Sequence, residues 1–223
     1  MENTRAANVS FSDLSVAQFV ERLASSEATP GGGSASAVAA SIGAALISMV
    51  AGLSTGRPKY AAYEATLARC LALGTALTAE FLELADRDAA AYATYSAALK
   101  LPRETEAQQM DRKAAISAAA RVAADAPWEC VNACVGLLVA AESLAGRSNV
   151  NASSDVLVAA LLGEAAARGA AENVRINLPA TGDDLYAEEM NQRLDSALHE
   201  IAAIAARTRE VVLSGQAQDP EAE

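Results

Sequence analysis

Apolar residues recur at helical spacing along nearly the whole chain, and no segment alternates like a half-buried strand with turn signals. Seven helices are predicted, over residues 12–25, 34–54, 59–99, 103–124, 127–146, 154–173 and 183–213. Their limits follow capping residues, prolines and glycines, with Pro58 at a helix start and Leu101-Pro102 at a helix end. Residues 1–213 are therefore predicted to form one all-α domain, and the polar tail 214–223 is predicted to be disordered.

The second predicted helix lies in a segment without charge. Between Ala28 and Gly56 the chain consists mainly of Ala, Gly and Ser, with few large aliphatic residues. A run of this length is long enough to span a bilayer. A segment of this composition would insert only weakly into a bilayer, however, because insertion favours Leu, Ile, Phe and Val. The segment also has no aromatic belt. A helix that is apolar on all sides otherwise lies in a protein core. We therefore expect a bundle built around this central helix and no membrane span.

Composition indicates how such a bundle holds together. The sequence is 52% hydrophobic but only 4% aromatic, so its apolar residues are mostly Ala and aliphatic residues. Alanine favours helix but buries little area, and stabilisation is about 25 cal/mol per Å² of apolar surface. Stability then requires close helix–helix approach over a large contact area. We expect self-association to extend that area.

The charge balance restricts the partners. The formal net charge is −11, which disfavours nucleic acids and anionic membrane surfaces, since both require Lys and Arg to neutralise phosphates. The N-terminal sequence has no basic region followed by an apolar core, so no signal peptide is expected. Three cysteines, Cys70, Cys130 and Cys134, lie inside helical sequence without a second Cys or His pair for a metal site. Buried free thiols and a cytoplasmic location are expected.

The most unusual local feature is the turn Thr29-Pro30-Gly31-Gly32-Gly33-Ser34, which precedes the uncharged helix with Ser34 as its predicted cap. Three glycines leave backbone amides unshielded, and the helix dipole adds positive charge, so the turn can hold a carboxylate or phosphate. The alternative is that the glycines only allow two helices to approach or the chain to reverse. The turn is not a P-loop, because no Gly-Lys-Ser/Thr follows.

Further polar candidates lie at helix ends and on helix faces. Arg57, Lys59 and Tyr60 follow the uncharged helix and are either solvated charges or an anion clamp with a proton-transferring lysine. Asp88 and Tyr92 are four residues apart, so a carboxylate and a phenol share one helix face; a solvated acidic turn is the alternative.

Capping groups account for several other polar residues. Ser154 and Asp155 are expected to cap the sixth helix, and Asn173 and Asn177 bracket its end, where Asn is a good terminator. The single histidine, His199, lies in an amphipathic stretch without a partner triad and is not expected to be catalytic.

Taken together, these segments resemble the cyclodeaminase/cyclohydrolase family. That family comprises the C-terminal domain of formimidoyltransferase-cyclodeaminase and the stand-alone bacterial methenyltetrahydrofolate cyclohydrolases. Each motif is weak alone, but the ordered set covers residues 11–213. The matching segments are Phe19–Ser25, Thr29–Ala35, Gly43–Val50, Thr55–Tyr60, Asp88–Tyr92, Leu101–Arg103, Ser153–Asp155 and Asn173–Leu178. Two positions depart from the family pattern: Pro58 replaces a frequent basic residue, and Arg175 stands in a usually apolar or aromatic position.

The resemblance implies an all-α homodimer in the cytosol that acts on a tetrahydrofolate without a metal or redox cofactor. It implies either hydrolysis of 5,10-methenyltetrahydrofolate to 10-formyltetrahydrofolate or cyclisation of 5-formiminotetrahydrofolate with loss of ammonia. The absence of a fused transferase domain favours hydrolysis. A non-catalytic folate-binding or dimerisation scaffold, and an enzyme acting on another cyclic amidine, remain alternatives.

The residues suit this chemistry, because the methenyl carbon belongs to an amidinium cation. Asp88 and Asp155 are expected to stabilise that cation or position water, and Lys59, with Tyr60 or Tyr92, to move a proton. The expected substrate-binding set is the whole turn 29–34 with Arg57, Ser154, Asn173 and Asn177. The uncharged helix is roughly 30 Å long, so its two ends reach one ligand only if the folate is extended or a second subunit contributes.

Overall fold

The computed structural model describes residues 10–219, and within that range the chain is helical and contains no strand. This confirms the all-α prediction. Predictions that concern residues 1–9 and 220–223 lie outside the described residues. Among the described residues, one short 3₁₀ turn precedes the first α-helix, at Phe11–Asp13, and three lie between α-helices, at Pro58–Tyr63, Val150–Ala152 and Leu178–Thr181. The α-helices are α1 (Val16–Leu23), α2 (Gly32–Ser54), α3 (Glu64–Ala98), α4 (Glu106–Leu144), α5 (Ser153–Asn177) and α6 (Asp184–Ser214).

Six α-helices rather than seven are found among residues 10–219, because α4 runs through Pro127. The sequence placed a helix start at this proline, which was wrong. Pro127 has no N–H to pair with the Ala123 carbonyl one turn earlier. The Asn177 side chain, which comes from α5, donates from Nδ2 to that carbonyl oxygen at 3.1 Å. Helix α4 is therefore continuous because a neighbouring helix supplies the missing donor.

Three predicted caps are also corrected. Ser34 does not cap α2, which begins at Gly32 after Gly31 and has no side-chain cap of its own. Ser154 and Asp155 lie in the first turn of α5 rather than capping it. At the first helix the predicted cap, Ser12 or Asp13, falls in a 3₁₀ turn, and Ser15 caps α1 in a capping box with Gln18.

Helix α2 packs antiparallel to both α3 and α5. On the α3 side, the Ser41 hydroxyl donates to the Thr78 carbonyl oxygen at 3.0 Å. Further along, a Cβ at Gly74 would lie 2.8 Å from the Ala44 carbonyl oxygen, so only glycine allows the two backbones this close. On the α5 side, Gly43 faces the Ala159 carbonyl. The core thus depends on small residues, as the composition predicted.

One face of α2 is not covered by its own chain. Ile42 is 52% exposed and Met49 is 42% exposed, although Ala44 and Ile47 are fully buried. By length and composition alone, four helical stretches of the described chain could cross a bilayer, and only 44% of the α2 window is buried. The predicted core helix therefore has one buried side and one bare apolar side.

The α3–α4 hairpin extends beyond the first turn of α2. Helices α3 and α4 have 35 and 39 residues, whereas α2 and α5 have 23 and 25. At 1.5 Å per residue, α3 is longer than α2 by roughly 18 Å. Because Asp88 lies beside the α2 N-terminus, α3 from Ala89 to Ala98 and the first turns of α4 project past it.

The three cysteines and the C-terminal tail were also subjects of prediction. All three cysteines are free and buried, as predicted, and burial raises the pKa of the Cys70 thiol to about 11. Disorder of the tail stays a prediction. Residues 215–219 are placed against the turn after α4, where the Gln218 N–H donates to the Gly146 carbonyl oxygen at 3.1 Å.

Candidate functional site

Asp88, on α3, lies at the N-terminus of α2. The Ser34 hydroxyl donates to the Asp88 carboxylate at 2.8 Å and also lies 3.0 Å from the Ala85 carbonyl oxygen. The backbone N–H of Ser34 donates to the same carboxylate. Because the cap position, Gly31, has no side chain, Asp88 satisfies a free amide of the first helical turn from a different helix.

The glycines of the turn make this contact possible. A Cβ at Gly33 would lie only 2.2 Å from Asp88 Oδ1, and a Cβ at Gly32 would lie 3.3 Å from Asn173 Nδ2. Any side chain at Gly33 would displace the carboxylate. The glycines thus allow the close approach of α3, and the carboxylate that the first turn of α2 holds is the protein's own Asp88. Binding of a ligand anion by the turn stays a prediction.

The environment of Asp88 changes its acidity. Burial raises the pKa of its carboxyl group above the usual value, and the hydrogen bonds from the Ser34 hydroxyl and amide partly oppose that shift. A carboxyl with a raised pKa holds and releases a proton closer to neutral pH than an exposed one does. Asp88 is therefore a candidate proton acceptor as well as a partner for a cation.

The neighbours of Asp88 surround the start of α2. Tyr92 is 45% exposed one turn further along α3 on the same face. Thr29, which precedes a buried cis-Pro30, lines a cavity of about 200 Å³ together with Asp86. Asp86 itself accepts the Phe11 N–H at 2.8 Å and thus holds the N-terminal turn in place.

The two asparagines of α5 reach the same end of the bundle. Asn173 donates from Nδ2 to the Gly169 carbonyl oxygen at 2.9 Å and faces Gly32. Asn177 donates to the carbonyl oxygens of Ala123 and Asn173, so its amide group already has structural partners.

A second group lies at the opposite end of α2. Lys59 Nζ is 5.4 Å from the centre of the Tyr60 ring. Tyr60 is buried, and its hydroxyl oxygen accepts the Val150 N–H at 3.2 Å. Both residues line a cavity of about 250 Å³ with Tyr63, Ser148, Ser153 and Val156. Arg57 and Ser154 are exposed and Asp155 is half-buried, in the adjoining turns.

The structure thus divides the predicted site residues between two places. Asp88 and Tyr92, the turn 29–34 and both asparagines lie at one end of α2. Lys59 and Tyr60, with Arg57, Ser154 and Asp155, lie at the other. The 23 residues of α2 separate them by roughly 34 Å.

Two features of these sites were not predicted from the sequence. Tyr63 and Ser148, which line the cavity with Lys59, were not singled out, although Tyr63 follows Tyr60 by three residues, the spacing that aligns side chains on a 3₁₀ turn. The Ser34–Asp88 pair joins residues 54 positions apart, and no local pattern predicts such a contact. Within residues 10–219 no group of three or more His, Cys, Asp or Glu is placed to hold a metal ion, and His199 is exposed on α6.

Comparison with known proteins gives consistent matches over most of the chain. Residues 15–196 match the sequence model of the family described as formiminotransferase-cyclodeaminase. The chain is 37% identical over 196 residues to the methenyltetrahydrofolate cyclohydrolase of Methylorubrum extorquens, covering 88% of this chain and 94% of that protein. It is 35% identical over 194 residues to the formimidoyltransferase-cyclodeaminase of Rattus norvegicus, covering 87% of this chain but only 36% of that protein.

A solved structure has the same fold. The crystal structure of formiminotetrahydrofolate cyclodeaminase from Thermotoga maritima superposes with a TM-score of 0.82 at 26% identity. The match covers 91% of this chain and 98% of that one.

Proposed function

Because the chain belongs to the formiminotransferase-cyclodeaminase family, we propose that it hydrolyses 5,10-methenyltetrahydrofolate to 10-formyltetrahydrofolate. The observation that carries this proposal is the match to a methenyltetrahydrofolate cyclohydrolase over 94% of that protein. The match to a solved formiminotetrahydrofolate cyclodeaminase favours a second candidate, ring closure of 5-formiminotetrahydrofolate with release of ammonia. Both reactions involve the same cyclic amidinium carbon.

Hydrolysis requires three things of the site. Water adds to the methenyl carbon, the bond from that carbon to N5 breaks with a proton delivered to N5, and the formyl group stays on N10. One proton is released overall, which balances the lost cationic charge. The Asp88 carboxylate suits the first step, because it stabilises the cation and accepts a proton from the attacking water. Lys59 or Tyr60 suits delivery of the proton to N5.

The proposed site is composite, formed by two subunits, since Asp88 and Lys59 are far apart within one chain. The bare face of α2 supports a homodimer, because exposed apolar patches mark interaction surfaces. This face is uncharged and has heptad-like spacing. Its members are Val38, Ile42, Ala45, Met49 and Gly52.

The spacing of this face is self-complementary about Ala45. In an antiparallel pair of α2 helices, Ile42 would lie near Met49 of the partner subunit, and Val38 near Gly52 of the partner subunit. If this antiparallel pairing continues to the ends of the two helices, Gly31 lies near Lys59 of the partner subunit. A two-fold dimer thus brings the Asp88 group of each subunit to the Lys59 group of the other.

The remaining parts of the proposal concern location and ligands. We place the enzyme in the cytoplasm, without a metal or redox cofactor and without nucleic-acid or membrane partners. Support comes from the net charge of −11 and the three buried free thiols.

The test follows the near-ultraviolet absorbance of methenyltetrahydrofolate, which is lost on hydrolysis. The purified protein, in non-phosphate buffer, is expected to accelerate that loss. A parallel assay for ammonia with 5-formiminotetrahydrofolate measures the second candidate. Unchanged decay together with tight folate binding would support the scaffold alternative instead.

A matched pair of glycine variants links the activity to the Asp88 group. Gly33→Ala is expected to lower kcat at least a hundredfold, since the added methyl group occupies the position of the Asp88 carboxylate. Gly136→Ala, in α4, meets nothing closer than 4.0 Å and should retain full activity. Equal activity of both variants would exclude Asp88 from the reaction.

A further inference from the structure

The chain that follows α6 folds back over the cavity that contains Lys59. Helix α6 ends in Gly215, whose φ of +65° is in the left-handed region that glycine adopts without strain. Gly215 and the two residues after it then line the same cavity as Lys59 and Tyr63. Residues 215–219 are called the C-terminal segment below. The segment lies outside the part of the chain that matches the family, residues 15–196.

Hydrogen bonds to the backbone attach the C-terminal segment to the rest of the fold. The Tyr63 hydroxyl donates to the Gln218 carbonyl oxygen at 2.7 Å, and the Gln218 N–H donates to the Gly146 carbonyl oxygen at 3.1 Å. Arg147 Nε donates to the Asp219 carbonyl oxygen at 3.0 Å. Because Gln218 is bound on both sides of its peptide unit, it is the main point of attachment of the segment.

The turn after α4 is shaped to receive the C-terminal segment. A Cβ at Gly146 would lie 2.6 Å from the Gln216 carbonyl oxygen and 2.8 Å from Gln218 Cγ. Gly146 also has a φ of +69°, so the position favours glycine for its conformation as well as for space. A side chain at this position would push the segment away from the cavity.

The attachment of the C-terminal segment is suited to opening and closing. Residues 215–218 are Gly, Gln, Ala and Gln, so no large apolar side chain anchors them, and the first three are exposed. Hydrogen bonds near water contribute little net stability, and segments held in this way open readily. Behind the segment the cavity is lined by the fully buried side chains of Leu144 and Val156. The segment is thus a weakly held outer wall on a cavity with a firm apolar inner wall.

We propose that the C-terminal segment is a lid on the Lys59 cavity, with Gly215 as its hinge and Tyr63 as the residue that holds it closed. This proposal rests on the proposed function, in which Lys59 or Tyr60 delivers the proton to N5. The closed lid excludes water from the cavity during that step, and the open lid lets folate enter and leave. Tyr63 is a positioning residue here, because it acts through the segment.

A labelling experiment tests the lid without any substrate. N-acetylimidazole acetylates tyrosine hydroxyls, and mass spectrometry of the digested full-length protein compares Tyr63 with Tyr92, which is 45% exposed at the other end of α2. Gly146→Ala displaces Gln216, and Gln218→Pro removes the N–H that binds Gly146. Each variant should raise the rate of Tyr63 acetylation relative to Tyr92 by at least about threefold, since the hydroxyl loses its acceptor.

Gly182→Ala is the matched control for backbone strain. Gly182 has a φ of +66°, close to that of Gly146, but a Cβ there would meet no atom within 4 Å. The control should therefore leave the relative acetylation of Tyr63 at its wild-type value. Unchanged acetylation in both lid variants, or the same increase in the control, would overturn the proposal.

Kinetics with methenyltetrahydrofolate test the role of the lid in turnover. Gly146→Ala and Gln218→Pro should each lower kcat by about three- to tenfold and change KM less than about twofold, because the Asp88 group is left intact. Tyr63→Phe should cause a similar loss, and adding Gly146→Ala to it should cause no further loss, since both act through the lid. Additive losses would instead place the Tyr63 hydroxyl in the reaction itself and overturn its assignment as a positioning residue.

The two experiments separate failure of the lid from failure of the proposed function. Faster acetylation of Tyr63 with an unchanged kcat would overturn the lid even though hydrolysis is observed. If the wild type hydrolyses no methenyltetrahydrofolate but acetylation changes as expected, the lid is supported and the proposed function alone is lost.

Discussion

At the scale of single residues, the position of Asp88 determines its chemistry. Its carboxylate caps α2 from a neighbouring helix, is partly removed from water and contacts the glycines of the turn. These conditions oppose one another, since burial raises its pKa while the Ser34 donors lower it, and burial is the larger effect. A carboxyl group whose pKa is raised by burial fits a role in proton transfer better than a purely structural cap does.

The raised pKa of Asp88 predicts how stability varies with pH. The folded state keeps this proton at a pH where the unfolded state, with its usual value near 3.8, has lost it. The free energy of unfolding therefore falls as pH rises from about 3.8 through the raised pKa. Asp88→Asn removes this dependence on pH. The free energy of unfolding of the variant, minus that of the wild type, should therefore increase as the pH rises over that range. Urea unfolding at a series of pH values measures the difference.

Asp183 provides a control of opposite sign. Its pKa is lowered, first by the Tyr186 backbone N–H and then by Arg121, so its contribution to stability is present above about pH 3.8 and lost as the pH falls. Asp183→Asn should therefore lose stability relative to wild type as the pH rises. The difference in the free energy of unfolding between Asp88→Asn and wild type could instead stay constant with pH, or change in the same direction as for Asp183→Asn. Either result would contradict a raised pKa for Asp88.

At the scale of elements, α4 shows how one helix depends on another. Pro127 is buried inside it and leaves the Ala123 carbonyl without its usual donor. Asn177, 54 residues further along the chain, supplies that donor from the last turn of α5. The same contact holds the C-terminal end of α5, which also carries Asn173, against α4.

A double-mutant cycle tests this dependence. Asn177→Ala should destabilise the protein by about 1–3 kcal/mol, because it leaves a buried carbonyl unpaired. In a Pro127→Ala background residue 127 regains its N–H, so the same change should cost less than about 1 kcal/mol. Urea denaturation of the four proteins gives the coupling. If Asn177→Ala lowers the free energy of unfolding equally in both backgrounds, the stabilising hydrogen bond of Asn177 is the one to the Asn173 carbonyl and not the one to the Ala123 carbonyl.

At the scale of the whole molecule, the proposed homodimer would explain both the separation of Asp88 from Lys59 and the bare face of α2. A single chain leaves Ile42 and Met49 exposed and divides the candidate catalytic groups between two ends. The antiparallel dimer proposed above would bury these side chains and join the two groups. It would produce two identical sites, each with residues from both subunits.

Mixing two inactive variants tests the shared site. Asp88→Asn and Lys59→Met should each be inactive as homodimers. After subunit exchange about half of the dimers are mixed, and each of these has one intact site, so about a quarter of wild-type activity should return. As a control, Asp88→Asn mixed with Gly33→Ala should stay inactive, because both changes affect the same half of the site. If the first mixture also stayed inactive, each site would lie within one subunit.

The sequence predicted the helical class and most helix positions, because apolar spacing and capping signals are local. The continuity of α4 could not be predicted, since Pro127 is a local stop signal whose remedy comes from Asn177. The role of Ser34 was also missed, because its partner Asp88 is brought to it only by the packing of α3 on α2.

Periodicity and composition depend only on neighbours along the chain. The amino-acid sequence was therefore enough to predict that helices form and that one of them is uncharged and apolar on every side. It also supplied the resemblance that indicated a folate enzyme. The packed fold was needed to show which side of α2 is buried, which carboxylate occupies its N-terminus and which candidate residues lie together. Those outcomes depend on distances between helices far apart in sequence, and these distances are set by packing.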